Sequence, residues 1–307
     1  MSKKIVLYIS VVIVSVVWGF SFVGSKTALE TLSPMQVLSA RWTLGALTLV
    51  LLALLRIIKV DYRNKPKAPL AALMIFQPCV YSICEMVGID KTTASESAII
   101  ISMIPLAVLI ISSLAYRTKV KPLAILGIFL AFGGVLCTTV FSPNFSLGGK
   151  AAGYLLLLGA VTAGAIYSIR TNRVARIYSP MEITIVMTST GAVFFNIIMI
   201  AQGQGVSVYP TIFESSRLML AIAFLGFGCT ALCYLCYNVI ISYLPPHVAS
   251  TIQVNLITLV GVISGIFVGG DPYGIYTAVG MVLMVGGLVL TGLNAGEKSE
   301  KSADLPA

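Results

Sequence analysis

Ten uninterrupted apolar runs divide this chain, each close to the roughly 20 residues that cross a bilayer as a helix. They cover approximately Ile5–Ser25, Pro34–Ile57, Ala68–Val87, Thr92–Ala115, Pro122–Phe141, Ala151–Ile169, Pro180–Ala201, Arg217–Ile240, Pro245–Val268 and Pro272–Gly292. A helix satisfies its backbone hydrogen bonds internally, which is what lipid demands of a spanning segment. A transmembrane barrel would instead show alternating segments of about ten residues. Only 10% of the residues are charged, against about 25% in ordinary soluble domains, so the side chains for a water-facing surface are missing. The apolar share of 58% likewise excludes a disordered chain, which needs low hydrophobicity and high charge. The expected fold is all-α and membrane-integral.

Orientation follows from Lys and Arg, which accumulate in cytoplasmic loops. With the N-terminus inside, the inner segments hold 15 of the 20 basic residues: Lys3, Lys4, the Arg56–Lys67 tract, Arg117, Lys119, Lys121, Arg170, Arg173, Arg176, Lys298 and Lys301. The outer side holds Lys26, Arg41, Lys91, Lys150 and Arg217. The expectation is a multi-pass protein of the cell membrane with both termini cytoplasmic. The net charge of +9 is then a topology signal, and nucleic acid is not an expected partner. Lys3 and Lys4 precede an apolar run as in a signal peptide, but the run continues through Trp18, Phe20, Phe22 and Val23 and is long enough to span. It is read as the first helix.

The six cysteines, Cys79, Cys84, Cys137, Cys229, Cys233 and Cys236, all fall inside apolar runs and make no extracellular disulfide framework. Cys229, Cys233 and Cys236 share one helical face, as metal ligands or as small polarizable contact residues; the same helix has no His or carboxylate. His247, the only histidine, adjoins Pro245-Pro246 at an inner loop, where a surface position is expected. One such histidine argues against a Ser-His-Asp triad and a multi-His zinc site. No cofactor, metal or catalytic residue is expected. Asn144-Phe145-Ser146 fits the glycosylation pattern, a frequent chance match.

The chain also repeats itself. Ser33-Pro34-Met35 recurs as Ser179-Pro180-Met181, and Gly45-Ala46 as Gly191-Ala192, at an offset of 146. Later the offset becomes 153, pairing Tyr81 with Tyr234, Ser97 with Ser250, Gly127 with Gly280 and Gly133-Gly134 with Gly286-Gly287. A seven-residue insertion in the tract Gln202–Ser216 accounts for the change. The halves are residues 1–145 and 146–294, followed by a polar cytoplasmic tail at 295–307. Five spans per half is an odd number, so the second half enters the membrane inverted. Ten transmembrane helices in two inverted five-helix repeats is an architecture of secondary transporters, with substrate near the midplane at the repeat interface.

Trp18-Gly19-Phe20-Ser21-Phe22, then Lys26, Pro34 and Arg41, resemble the opening pattern of the EamA-type branch of the drug/metabolite transporter superfamily. Ser102-Met103-Ile104-Pro105 resembles that family's fourth helix, and Gly127 with Gly133-Gly134 its fifth. Asn255-Leu256-Ile257-Thr258, ending at Gly270-Asp271, is similar to its ninth-helix pattern, with Thr258 where Pro is usual and Asp271 where Glu is usual. The resemblance covers nearly the whole chain. It implies two inverted five-helix halves, a central cavity lined by helices 1, 3, 4, 6, 8 and 9, and alternating access. It implies no single substrate.

An ionisable side chain at a helix centre costs roughly 2.5 to 3.5 kcal/mol on insertion scales, so Glu85 and Arg41 each need a partner or a role. They lie at similar depth and are a candidate structural ion pair; alternatively Glu85 binds a substrate ammonium group or takes a coupling proton. Tyr81 and Glu85 are four apart on one helix face, and their repeat counterparts are Tyr234 and Asn238. Asn255 lies about ten residues into its run, roughly 15 Å, which is half of a hydrocarbon core of about 30 Å; its counterpart is Ser102. Trp18 stacks on substrate or packs. Trp18, Tyr81, Glu85, Ser102, Tyr234, Asn238 and Asn255 are therefore the candidate substrate-binding residues, with Gln253 a weaker addition. Pro78 and Pro105 are expected to interrupt helices, and the paired glycines to permit close helix approach. The expected function is a secondary transporter for an amino acid or related polar metabolite, whose partners are that small molecule, the bilayer and a coupling proton. The alternatives are a non-transporting membrane scaffold or regulatory subunit and an intramembrane lipid-modifying enzyme.

Overall fold

A computed structural model describes residues 3–91, 100–116, 121–141, 151–206, 208–267 and 274–301. Ser97, Arg117, Lys119, Asn144, Phe145, Ser146, Lys150, Gly270 and Asp271 lie outside these residues, as do the side chains of Phe22, Val23, Lys26, His247, Thr258, Lys298 and Lys301.

Among the described residues the ordered elements are all helical. Five are long and apolar enough to cross a membrane: α3 (Pro34–Leu54), α4 (Lys67–Lys91), α7 (Ala151–Val174), α8 (Pro180–Ala201) and α10 (Ser216–Tyr243). The rest are α1 (Lys3–Gly19), α2 (Ser21–Leu29), α5 (Ile104–Tyr116), α6 (Pro122–Val140), α9 (Val208–Ile212), α11 (Pro246–Phe267) and α12 (Ile275–Lys301).

The burial pattern is that of a molecule dissolved in lipid. Val12, Leu51, Leu155, Ile197, Leu220 and Val282 are exposed on the outer faces of six helices, whereas Ser39, Arg41, Gln77, Thr184 and Asn238 are buried. In water so continuous an apolar exterior is an aggregation liability; in a bilayer it matches the solvent. The chain is a multi-pass membrane protein.

The helix starts are written locally. Ser33 and Ser179 each cap a helix whose first residue is proline, the position where a missing N–H removes no helical bond. The Ser33 N–H donates to Gln36 Oε1 at 2.9 Å and the Gln36 N–H to Ser33 Oγ at 3.4 Å. Glu182 plays the same part for Ser179, at 2.8 and 3.2 Å. These are reciprocal capping boxes. Ser33→Ala or Ser179→Ala should each cost about 1 kcal/mol, read as a lowered unfolding midpoint; no change in either would show that the boxes contribute nothing.

The structure departs from the apolar runs at several points. The first run breaks at Phe20 into α1 and α2. Pro105 does not interrupt a helix: it is the second residue of α5, and the break comes just before it, in a turn at Ser102–Met103. Pro78 does interrupt one, since α4 widens to a π-type turn over Ile75–Val80 with Gln77 extended at φ −137° and ψ 120°. A matching wide turn occupies Phe224–Leu232 in α10. α12 continues to Lys301, past the point where the sequence turns polar at Ala295.

The helices pack in reciprocal pairs. α1 lies against α10 and α11, and α7 against α4 and α5; α3 meets α8 and α10, while α8 meets α3 and α4; α5 meets α11 and α6 meets α12. At the α6–α12 crossing a Cβ on Gly134 would stand 2.6 Å from Gly280 O, and one on Gly287 would press on Gly127 O and Ala131. Gly133 and Gly286 have open space instead, so only one glycine of each pair makes the close approach expected of both.

Candidate functional site

Four of the seven sequence-derived candidates fall into two groups, Tyr81 with Glu85 and Trp18 with Tyr234, and Ser102, Asn238 and Asn255 lie outside them. In the first, the Tyr81 hydroxyl donates to Glu85 Oε1 at 2.7 Å, as their four-residue spacing on α4 allows. Tyr81 packs on α7, where a Cβ on Gly164 would meet its ring at 3.1 Å. It also lies against the cluster of Ile104, Val108 and Val254 from α5 and α11.

The second group surrounds Tyr234. Its ring meets Trp18 edge-on at 5.1 Å and Trp42 at 5.4 Å, and Trp18 also contacts Tyr237 at 5.6 Å. The Trp18 indole N–H donates to Cys229 O at 3.0 Å, a carbonyl in the wide turn of α10. Thr230 Oγ1 donates to Leu225 O at 2.8 Å in that turn and accepts from Arg41 Nε at 3.1 Å. A π-type turn disturbs the regular hydrogen-bond ladder, and these side chains satisfy what it leaves open.

Arg41 and Glu85 form no direct ion pair. Arg41 turns to Thr230, Glu85 accepts from Tyr81, and the two remain close enough to interact electrostatically with each other and with Tyr234. Asn238 lies in a separate buried network joining α7, α8 and α10, accepting from Tyr167 at 2.6 Å and donating to Thr184 at 2.9 Å. Ser102 is buried in the turn before α5. Asn255 is 4% exposed, borders a gap of about 10 Å³ with Met284, and its Nδ2 has no hydrogen-bond partner. Trp18, Tyr81 and Glu85 stay partly accessible.

Two participants escaped the sequence reading. Gln77, 2% exposed, donates from Nε2 to the Tyr234 hydroxyl and to Ser82 Oγ. Trp42, fully buried, bridges Tyr234 and Phe195. The available signal for Gln77 was a lone amide in an apolar run beside Pro78; Trp42 had none. Cys229, Cys233 and Cys236 are buried, and no group of three potential metal ligands occurs among the described residues.

Each end of the bundle carries a strap. At one end the segment 55–66 crosses the start of α8, where Glu182 accepts from the Asp61 N–H at 2.9 Å and from Lys65 Nζ at 2.9 and 2.7 Å. The Tyr62 hydroxyl donates to Glu182 O at 3.2 Å and the Tyr178 hydroxyl to Pro66 O at 3.0 Å. Burial, with the Glu182 carboxylate and Tyr178 adding to it, pushes the Tyr62 phenol up to about 12, so it stays a donor. At the other end the segment after α8 returns to the start of α3. There Ser33 Oγ donates to Gln204 Oε1 at 2.8 Å, and the Tyr209 hydroxyl lies 3.0 Å from Ser39 Oγ and 2.7 Å from Asn196 Oδ1. The first strap meets a carboxylate that takes backbone N–H groups and a lysine, whereas the other is held by neutral groups alone.

Comparison with known proteins agrees with this architecture. The chain is 25% identical over 305 residues to the uncharacterized transporter YcxC of Bacillus subtilis, covering 98% of this chain and 96% of that one. It is 27% identical over 302 residues to an uncharacterized transporter of Archaeoglobus fulgidus, covering 95% and 98%. A solved crystal structure superposes with a TM-score of 0.73 at 15% identity, over 96% of this chain and 99% of the other; at that identity the likeness concerns the fold. The EamA-like transporter family matches residues 5–140 and 151–293. The chain belongs to the EamA-like transporter family.

Proposed function

We propose that this protein is a secondary transporter that carries an amino acid or related polar metabolite by alternating access, without chemically converting it. The observation that carries the reading is the set of contacts crossing between the two halves: Trp18 on Tyr234, Gln77 to Tyr234 and Arg41 to Thr230. A polar and aromatic centre shared by two halves is what a site alternately exposed by their rocking requires. The halves are residues 1–145 and 146–294, each contributing five spans, the second inverted. The reciprocal helix pairing, the two wide turns and the twin capping boxes support that arrangement. Both termini face the cytoplasm, on the strength of the Lys and Arg distribution.

The substrate lies near the midplane between Trp18, Tyr81, Glu85 and Tyr234, with Ser102 in the turn before α5 and Asn255 on α11. Glu85 meets a substrate ammonium group or carries the coupling proton. Arg41 supplies the opposite sign, so the centre suits a zwitterion. Asn238 supports the α10 wall from behind. The two straps are the alternate closures at the ends of the bundle.

Flux into vesicles of the reconstituted full chain, measured with radiolabelled amino acids under an imposed pH gradient, tests this. Uptake should be saturable and the labelled compound recovered unchanged. Glu85→Gln should remove the pH dependence, and Asn255→Leu or Tyr234→Leu should weaken apparent affinity at least tenfold, or about 1.4 kcal/mol. Normal pH-dependent uptake by Glu85→Gln would end the proton role. Unchanged affinity in folded Asn255→Leu and Tyr234→Leu would end the site assignment.

A further inference from the structure

A cavity of about 480 Å³ lies between α4 and α8, and shares no lining residue with the Trp18–Tyr81–Glu85 cluster. Its walls are apolar, made by Leu70, Met74 and Val186, and it opens past the exposed Ala71 and Ile75 on the outer face of the bundle. Lys67 stands at one lip, and Cys79 and Thr190 line the far end.

Two features define what fits. The first is length. On the α8 side, ten residues of unbroken helix separate Pro180 from Thr190, about 15 Å by helical rise, half of a hydrocarbon core of about 30 Å. The groove is therefore as long as one acyl chain in one leaflet. The second is charge. The tract leading to the lip carries Arg56, Lys59, Arg63, Lys65 and Lys67 against Asp61 alone. Glu182 engages Lys65, while Lys67 is exposed on the cavity rim. Tyr62 and Tyr178 flank the same lip, and amphipathic aromatics of this kind favour the headgroup layer. Basic side chains beside a spanning helix attract anionic lipid.

We propose that the α4–α8 groove binds one anionic phospholipid, its phosphate at Lys67 and an acyl chain laid against Leu70, Met74 and Val186. The bound lipid fills the space beside the charged strap and couples the composition of that leaflet to the junction of the two halves.

Native mass spectrometry of the full-length protein in detergent, with equal amounts of phosphatidylglycerol and phosphatidylcholine bearing identical chains, tests the site. Phosphatidylglycerol should be retained roughly fivefold over phosphatidylcholine, the factor that one lysine near an anionic headgroup supplies. Lys67→Gln should bring that ratio close to one without removing the lipid. Thr190→Trp, which fills the groove, should remove the tightly held lipid of either kind at unchanged helicity by circular dichroism. Ala71→Trp, at an exposed position on the same groove, serves if Thr190→Trp fails to fold. Equal retention of the two lipids by the unmodified protein, an unchanged ratio in Lys67→Gln, or undiminished lipid in a folded groove-filling variant would overturn the assignment. Substrate flux is a separate readout, so failure here leaves the transport reading untouched.

Discussion

Replacing Glu182 with alanine should destabilise the purified protein by roughly 2–3 kcal/mol, seen as a lower midpoint in thermal unfolding followed by size-exclusion chromatography. One carboxylate, 3% exposed, accepts from the Ser179 N–H at 2.8 Å, the Asp61 N–H at 2.9 Å and Lys65 Nζ at 2.7 Å. The two backbone donors are the source of the loss, because the alanine variant leaves them without their acceptor where the strap meets the start of α8. Lys65 contributes less: its side chain is 26% exposed, so its ammonium rehydrates, and partly exposed ion pairs are worth about 1 kcal/mol or less. The expected order of stability is therefore unmodified protein, Lys65→Met, Glu182→Gln, then Glu182→Ala, with glutamine retaining one acceptor for the capping box. If Lys65→Met were as damaging as Glu182→Ala, the ion pair and not the backbone bonds would hold the strap.

The glycine pairs at the α6–α12 crossing should separate sharply under alanine substitution. At Gly134 the added Cβ would sit 2.6 Å from Gly280 O and 2.7 Å from Met284 N. Both are backbone atoms that cannot swing aside, so the helices must part, at a cost of about 1–3 kcal/mol. Gly287→Ala meets the reciprocal wall at Gly127 O and Ala131 and should cost as much. Gly133→Ala and Gly286→Ala project into open space and should stay within about 0.5 kcal/mol of the parent. The double variant Gly134→Ala with Gly287→Ala should fall short of additivity, because both substitutions relieve themselves by the same separation and neighbouring sites couple. Equal loss from Gly133→Ala and Gly134→Ala, in the same unfolding assay, would mean that helix propensity or lipid contact governs these positions instead of the crossing.

Much of the membrane architecture was legible in one dimension. Apolar runs of bilayer length identify spanning helices because lipid leaves the backbone no other partner. The Ser-Pro-Met repeats mark two helix starts because a capping box is a four-residue, local device. Tyr81 and Glu85 were legible as a pair for the same reason, since four residues bring side chains onto one face of a helix. The family resemblance read from Trp18-Gly19-Phe20-Ser21-Phe22 onward agrees with the match over residues 5–140 and 151–293.

The partners of the buried polar groups were not legible. Arg41 has a carboxylate of similar depth in the neighbouring span, yet bonds to Thr230, 189 residues away. Asn238 is the repeat counterpart of Glu85, yet it joins Tyr167 and Thr184 in a network of its own. Gln77 reaches Tyr234 across 157 residues. Periodicity says which face of a helix a side chain shares with its near neighbours, but not which other helix that face will meet. The difference between Gly133 and Gly134 is of the same kind: one residue is a rotation of about 100° on a helix of 3.6 residues per turn, and only the crossing says which of the two faces the partner. The sequence by itself determined the solvent, the all-helical class and the local helix caps. The tertiary structure alone decided the pairings at the centre, because those depend on how helices distant in the chain rotate and cross.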